Sequence, residues 1–153
     1  MNIIDILVRN AVIVDLVSET KSEVLAEMTT ALARAKPELD ARRLLEVLTE
    51  REALGSTGIG EGVAIPHAKM PDLDHLLVTF ARSVEGIDFD SIDGLPTNLV
   101  FLLVAPEYAG GESLKALARI SRFCRDAEFR ASLSVAKNLE DVFKAIEDVD
   151  GKM

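Results

Sequence analysis

Residues 98–105 read Asn-Leu-Val-Phe-Leu-Leu-Val-Ala, a nearly continuous apolar run closed by Pro106. A strand with one face in water alternates polar and apolar side chains, whereas a strand covered on both faces reads as an unbroken run. The chain is therefore expected to build a sheet with a packed layer on each side. Helices on either side in sequence would supply those layers. Thr20-Lys21-Ser22-Glu23 has the form of a capping box, with Thr20 as N-cap and Glu23 reaching back. Val24, Leu25, Met28, Leu32 and Ala35 then recur at helical spacing to about Lys36, before Pro37. Asp40 is placed to cap a second helix with Leu44, Leu45 and Leu48 on its buried stripe, running to about Ala53. A third begins near Glu112, with Leu114, Leu117, Ala118, Ser121 and Cys124 on one face. A short helix over Asp126 to Val135 and a last one capped by Asn138, with Val142, Ala145 and Ile146 inward, complete the set.

The extended segments are expected at residues 12–17, at Val63-Ala64-Ile65, over Leu76 to Val84, and at 98–105, with Asp88 to Gly94 as a turn-rich loop. Helices, then strands, then helices read as an α+β fold, a central sheet flanked by helical layers. With 153 residues and no linker, repeat or low-complexity tract, residues 1–153 are expected to form a single domain. Hydrophobic residues make up 48% and charged residues 28%, the balance of a folded globule. No apolar run approaches the roughly 20 residues of a membrane helix, and no secretory signal is evident. The lone Cys124 has no internal disulfide partner, so a cytoplasmic location is expected. A net charge of −9, from 26 acidic and 17 basic side chains, repels phosphate backbones and argues against nucleic-acid binding. It would favour a protein partner with a basic face, or serve solubility alone.

Chemistry concentrates in residues 51–68, Arg-Glu-Ala-Leu-Gly-Ser-Thr-Gly-Ile-Gly-Glu-Gly-Val-Ala-Ile-Pro-His-Ala. Four glycines precede the apolar triplet, and Pro66, lacking a ladder donor, is expected to end the strand. His67 then lies where scaffold meets solvent. No Gly-Lys-Ser/Thr follows the glycines, and they lead into a strand rather than a helix, so neither a Walker A loop nor a dinucleotide fingerprint is present.

Glu52, Ile59-Gly60, Val63-Ala64-Ile65 and Pro66-His67-Ala68 resemble the active-site signature of phosphotransferase-system enzyme IIA proteins of the mannitol/fructose class. The run from Arg51 to His67 is most similar to the nitrogen-regulatory branch. The resemblance spans nearly the whole chain and implies a mixed sheet between helices, an α/β/α arrangement. It implies that His67 carries a phosphoryl group. The donor would be a histidine phosphocarrier protein, supplied ultimately from phosphoenolpyruvate, with no cofactor or metal. Downstream lies either a regulated target protein or the cysteine of a permease enzyme IIB, and a binding module that has lost phosphotransfer is a third reading.

Histidine suits reversible transfer because a ring nitrogen is free near neutral pH. The protein must then align the groups and neutralise the moving oxygens. Arg51, sixteen residues before His67, offers a guanidinium fork for that task, in keeping with an arginine of the resembling family; a surface ion pair with Glu50 or Glu52 is the alternative. Family members carry a second histidine where this chain has Ser113, whose hydroxyl can donate to a phosphoryl oxygen but cannot titrate near neutrality. Ser113 could equally cap its helix, whose N-terminal N–H groups form an anion site. Ser56, Thr57, Gly58 and Gly60 are candidates for a phosphate-holding loop, or for turn formation. His75, beside Asp72 and Asp74, reads as a surface residue, and two histidines without suitably spaced partners do not make a zinc site. Cys124 reads as core.

Overall fold

The computed structural model describes residues 1–152. Its central strand is β5 (Thr97–Pro106), in the apolar run, and every residue from Leu99 to Ala105 is buried. The other strands are β1 (Gly58–Gly60), β2 (Val63–Ala64), β3 (His67–Met70) and β4 (Leu77–Ile87). β4 lies antiparallel on one edge of β5, pairing Leu77 with Val104 through to Arg82 with Leu99. β2 and β3 lie parallel on the other edge, one after the other. Val63 sits opposite Leu99 and His67 opposite Leu103, so the two short strands share one register. β1 extends the sheet antiparallel to β2.

Alternation along β5 divides the core. Leu99, Phe101, Leu103 and Ala105 face one layer; Val100, Leu102 and Val104 face the other. The second layer is α2 (Lys21–Ala35) and α3 (Ala41–Leu54), which bury Val24, Met28, Leu32, Leu44 and Leu48. The first is α4 (Gly111–Arg125), α5 (Ala127–Ser134) and α6 (Leu139–Lys152), with the short α1 (Ile3–Ile6) beside them. This is the expected α/β/α arrangement around a mixed sheet. Aromatic rings knit the first layer to it: Phe101 lies 4.9 Å from Phe80 and 6.3 Å from Phe129, which meets Phe123 at 5.8 Å.

Capping follows the sequence closely. Thr20 and Glu23 close a reciprocal capping box at α2. The Asp40 carboxylate accepts the Arg43 N–H at α3, and Asn138 accepts the Asp141 N–H at α6. Asp126 ends α4 and accepts the Glu128 N–H to start α5.

Three expectations need correction. Residues 12–17 form no strand. Ile13 makes one isolated parallel bridge to Ala81, and the Val14 carbonyl and Asp15 carboxylate accept instead from the Arg82 guanidinium. That buried guanidinium also donates to the carbonyls of Leu133, Ser134 and Ala136. The backbone of this segment still bonds to β4 at three points, Ile13 N–H to the Phe80 carbonyl, Arg82 N–H to the Ile13 carbonyl and Leu16 N–H to the Arg82 carbonyl, too sparsely to make a strand. Next, Pro66 does interrupt the strand, β2 closing at Ala64, but extended pairing does not stop there. Pro66 forfeits one rung, yet its carbonyl accepts the Leu103 N–H at 3.0 Å and pairing resumes as β3. Finally, part of the glycine-rich stretch is itself a strand, β1, and β4 runs on to Ile87 through an irregularity that includes Gly86 at φ +91.

Phe101 stands at the junction of sheet and first layer with no exposure. Phe101→Ala should lower the unfolding free energy by about 3–5 kcal/mol. A denaturant midpoint shift at unchanged slope would register it, and a loss under about 1 kcal/mol would contradict this packing.

Candidate functional site

On β3, Ala68 and Met70 pack into the α2/α3 layer, so His67 and Lys69 point to the opposite face, toward α4. There a cleft of about 430 Å³ opens. His67, Lys69, Arg51 and Ser113 line it, with Leu103 and Ala105 of β5 beneath and Val47, Leu114 and Leu117 along the walls. Side chains from α3, β3, β5 and α4 therefore converge on one site, although they lie up to 70 residues apart in sequence, from Val47 to Leu117.

His67 is half-buried, and its Nδ1 lies 2.9 Å from the Ile65 carbonyl oxygen. A carbonyl only accepts, so Nδ1 carries the proton and donates. In the neutral ring the lone pair is then on Nε2. Arg51 occupies the last turn of α3, and its Nη1 donates to the Gly55 carbonyl at 2.8 Å. This satisfies the orphan carbonyl end of the helix with a cation, a favourable pairing with the macrodipole. Arg51 forms no ion pair among the described residues; Glu52, the neighbour expected to compete for it, turns inward and pairs with Lys21 at 3.0 Å. Ser113 is nearly buried in the first turn of α4. It is not the helix cap, because Gly110 at φ +60 holds that position.

Arg51, His67 and Ser113 are thus brought together. Ser56, Thr57, Gly58 and Gly60 do not line the cleft. The Ser56 hydroxyl donates to the Phe89 carbonyl and accepts the Gly58 N–H at 2.9 Å. Thr57 donates through both N–H and hydroxyl to the Glu52 carboxylate. Gly58 packs on the 88–95 loop, where a Cβ would collide with Ser91 Oγ and fall 3.2 Å from its Cα. Gly60 adopts φ +90, a conformation glycine takes without strain. The stretch serves turn formation and docking of that loop.

Lys69 is not singled out by the sequence, because Pro66 reads as the end of the strand at Ile65. Its signal lies in the alternation His67-Ala68-Lys69-Met70. His75 is exposed, bonded through Nδ1 to Asp74 at 2.5 Å, and lies outside the cleft. That hydrogen bond holds the Asp74 carboxyl below its ordinary range. Cys124 is buried in the first-layer core, and burial pushes its thiol up to about 12, opposed weakly by the Arg130 charge.

Comparison with known proteins agrees with this architecture. Residues 5–149 match the family described as phosphoenolpyruvate-dependent sugar phosphotransferase system, EIIA 2. The chain is 40% identical over 146 residues to a nitrogen regulatory protein of Bradyrhizobium diazoefficiens, covering 95% of each. It is 36% identical over 150 residues to a fructose-specific EIIABC component of Bacillus subtilis, spanning 98% of this chain but 24% of that one. The crystal structure of nitrogen regulatory protein IIA-Ntr from Neisseria meningitidis superposes with a TM-score of 0.87 at 33% identity, over 94% of this chain and 98% of that one. The chain belongs to the EIIA 2 family of the phosphotransferase system, with nitrogen regulatory proteins among its near relatives.

Cys124 yields a prediction about accessibility. An unfolded thiol titrates near 9.0 and the folded one near 12, so the native state holds the proton more tightly across that interval. Stability should therefore fall as pH rises from 9 toward 12. At pH 8 a thiol reagent should label Cys124 only as fast as the chain opens, and rapid stoichiometric labelling of folded protein would contradict the burial.

Proposed function

We propose that this chain is a phosphocarrier of the nitrogen-regulatory enzyme IIA type, accepting a phosphoryl group on Nε2 of His67. The observation that carries the reading is the His67 ring itself. Its Nδ1–H is spent on the Ile65 carbonyl, and its other nitrogen is left with a lone pair in a cleft that also holds Arg51, bonded to the Gly55 carbonyl and in no ion pair among the described residues. Attack by Nε2 on the phosphorus of a donor phosphohistidine forms one N–P bond as the donor's N–P bond breaks, and that electron pair returns to the donor ring. The proton stays on Nδ1, donated to the Ile65 carbonyl, throughout, so the acceptor needs no separate base for this step. The positive charge that develops on the acceptor ring is spread over both nitrogens.

Arg51 would swing from Gly55 to the transferring oxygens, and Lys69 adds a second cation on the same strand face as His67. Ser113 supplies a hydroxyl, and the first turn of α4 supplies backbone N–H groups. The donor is a histidine phosphocarrier protein charged ultimately by phosphoenolpyruvate, and the chain would meet it in the cytoplasm. A phosphoryl group adds about −1.5 to −2 charges in a cleft walled by leucines, enough to change which protein surface can dock there. Control of a target by phosphorylation state follows from that change. A second reading, transfer onward to an enzyme IIB cysteine, is favoured by the similarity to the fructose-specific protein. It asks Ser113 to do without titration what a second histidine would do.

Incubation with phosphoenolpyruvate and the general upstream phosphotransferase proteins should add one acid-labile phosphate, absent in His67→Ala. Arg51→Ala should fold and take phosphate about 100-fold more slowly or worse, the usual scale for losing a charge-stabilising donor. Wild-type protein that stays unphosphorylated with a competent donor would leave the binding-module reading in its place.

A further inference from the structure

Two carboxylates are buried among the described residues. Asp150 ties the termini together, accepting the Ile3 and Ile4 N–H groups and the Arg119 guanidinium. Glu52 has a different set of partners. It accepts the Thr57 N–H at 3.2 and 3.3 Å and the Thr57 hydroxyl, and it pairs with Lys21 at 3.0 Å. Such a buried ion pair is weak evidence for stability, since apolar residues of similar volume often do as well. Its geometry gives a better reason for it.

From Glu52 the hydrogen bonds run on in series. The Thr57 carbonyl accepts the Ile65 N–H at 3.0 Å, and the Ile65 carbonyl accepts His67 Nδ1–H at 2.9 Å. Thr57 and Ile65 are each held on both sides, so three links connect a fixed carboxylate to the imidazole. Glu52 is also the residue after Arg51, in the last turn of α3. One side chain therefore registers the turn that presents Arg51 against the strand that presents His67. We infer that Glu52 and Thr57 are positioning residues: acting through the backbone of Ile65, they fix the ring orientation and tautomer of His67 while holding Arg51 at the matching distance.

The inference rests on His67 being the phosphoryl acceptor, and its test separates the two. In ¹⁵N-labelled protein, long-range ¹H–¹⁵N spectra report which ring nitrogen of His67 holds the proton, whether or not phosphate is ever accepted. The wild type should show the Nδ1–H tautomer alone. Thr57→Val keeps side-chain volume and the backbone N–H, and Glu52→Gln keeps shape; with folding verified from amide spectra, each should give a mixture of tautomers. Phosphoryl acceptance should fall about tenfold or more, in kcat rather than KM, as expected when a reacting group is held less well. Thr57→Ser should restore both readouts. A wild-type ring protonated on Nε2 would overturn the proposal. So would folded Thr57→Val with the wild-type tautomer and rate, even if Glu52→Gln fails to fold. A tautomer shift in a chain that takes no phosphate would sustain the positioning role while the carrier reading fell.

Discussion

The end of β1 beside Ile65 is the constraint from which the site follows. Backbone groups along a strand point alternately to its two neighbours. The carbonyls of Gly62 and Pro66 are turned toward β5, where they accept from Leu99 and Leu103. Ile65 is turned the other way, and its N–H meets Thr57 at the end of the short β1 side. β1 goes no further, so the Ile65 carbonyl has no strand partner and takes the His67 ring instead. A longer β1 would satisfy that carbonyl with an N–H and release the imidazole. The glycine-rich stretch thus acts on the site by stopping where it does, with Gly58 and Gly60 folding it onto the 88–95 loop.

The electrostatics of the cleft are asymmetric for the same structural reasons. α4 directs its N-terminus into the cleft and favours an anion, while α3 directs its C-terminus there and opposes one. In the unmodified protein Arg51 answers the second field by bonding the Gly55 carbonyl. A phosphoryl group offers the guanidinium a stronger, charge-assisted partner at the loss of one neutral-acceptor bond. On the proposed function Arg51 would have two resting places, and the charge on His67 would decide between them. On a chain of net charge −9, these few cations carry the local field against the global one.

The parts of this fold that rest on short-range chemistry are legible in the sequence. The capping box at Thr20 and the caps at Asp40 and Asn138 appear where the residues put them. The double-sided burial of β5 is written in its unbroken apolar run. Arg51 and His67 can be grouped because the motif fixes their spacing, and Ser113 because the resemblance sets it at the family's second-histidine position; the cleft does gather all three. What escapes a reading of the sequence depends on long-range partners. Residues 12–17 have strand composition, but they meet β4, far along the chain, only through a few scattered backbone bonds and the Arg82 guanidinium. β3 is hidden by a proline whose carbonyl still pairs, and Lys69 with it. The inward turn of Glu52 does not show in an Arg-Glu dipeptide that looks like a helix surface; only the position of Lys21 and Thr57 decides which way the carboxylate points.

Leu114 of α4, 69% exposed, lines the cleft, so its mouth pairs apolar surface with the site of the proposed phosphoryl charge. A partner that covers that leucine would also desolvate whatever sits on His67. With a neutral imidazole the covering surface gains apolar burial and loses little. With a dianion beneath it, the same surface must bring donors or forgo contact, because an unpaired buried charge is among the most expensive things an interface can hold. With His67 as the phosphoryl acceptor, as proposed, discrimination between the two states would need no movement of the backbone. It requires only that His67 be held in one place and orientation, the condition met by the bonds that lead from it through Ile65 and Thr57 to Glu52.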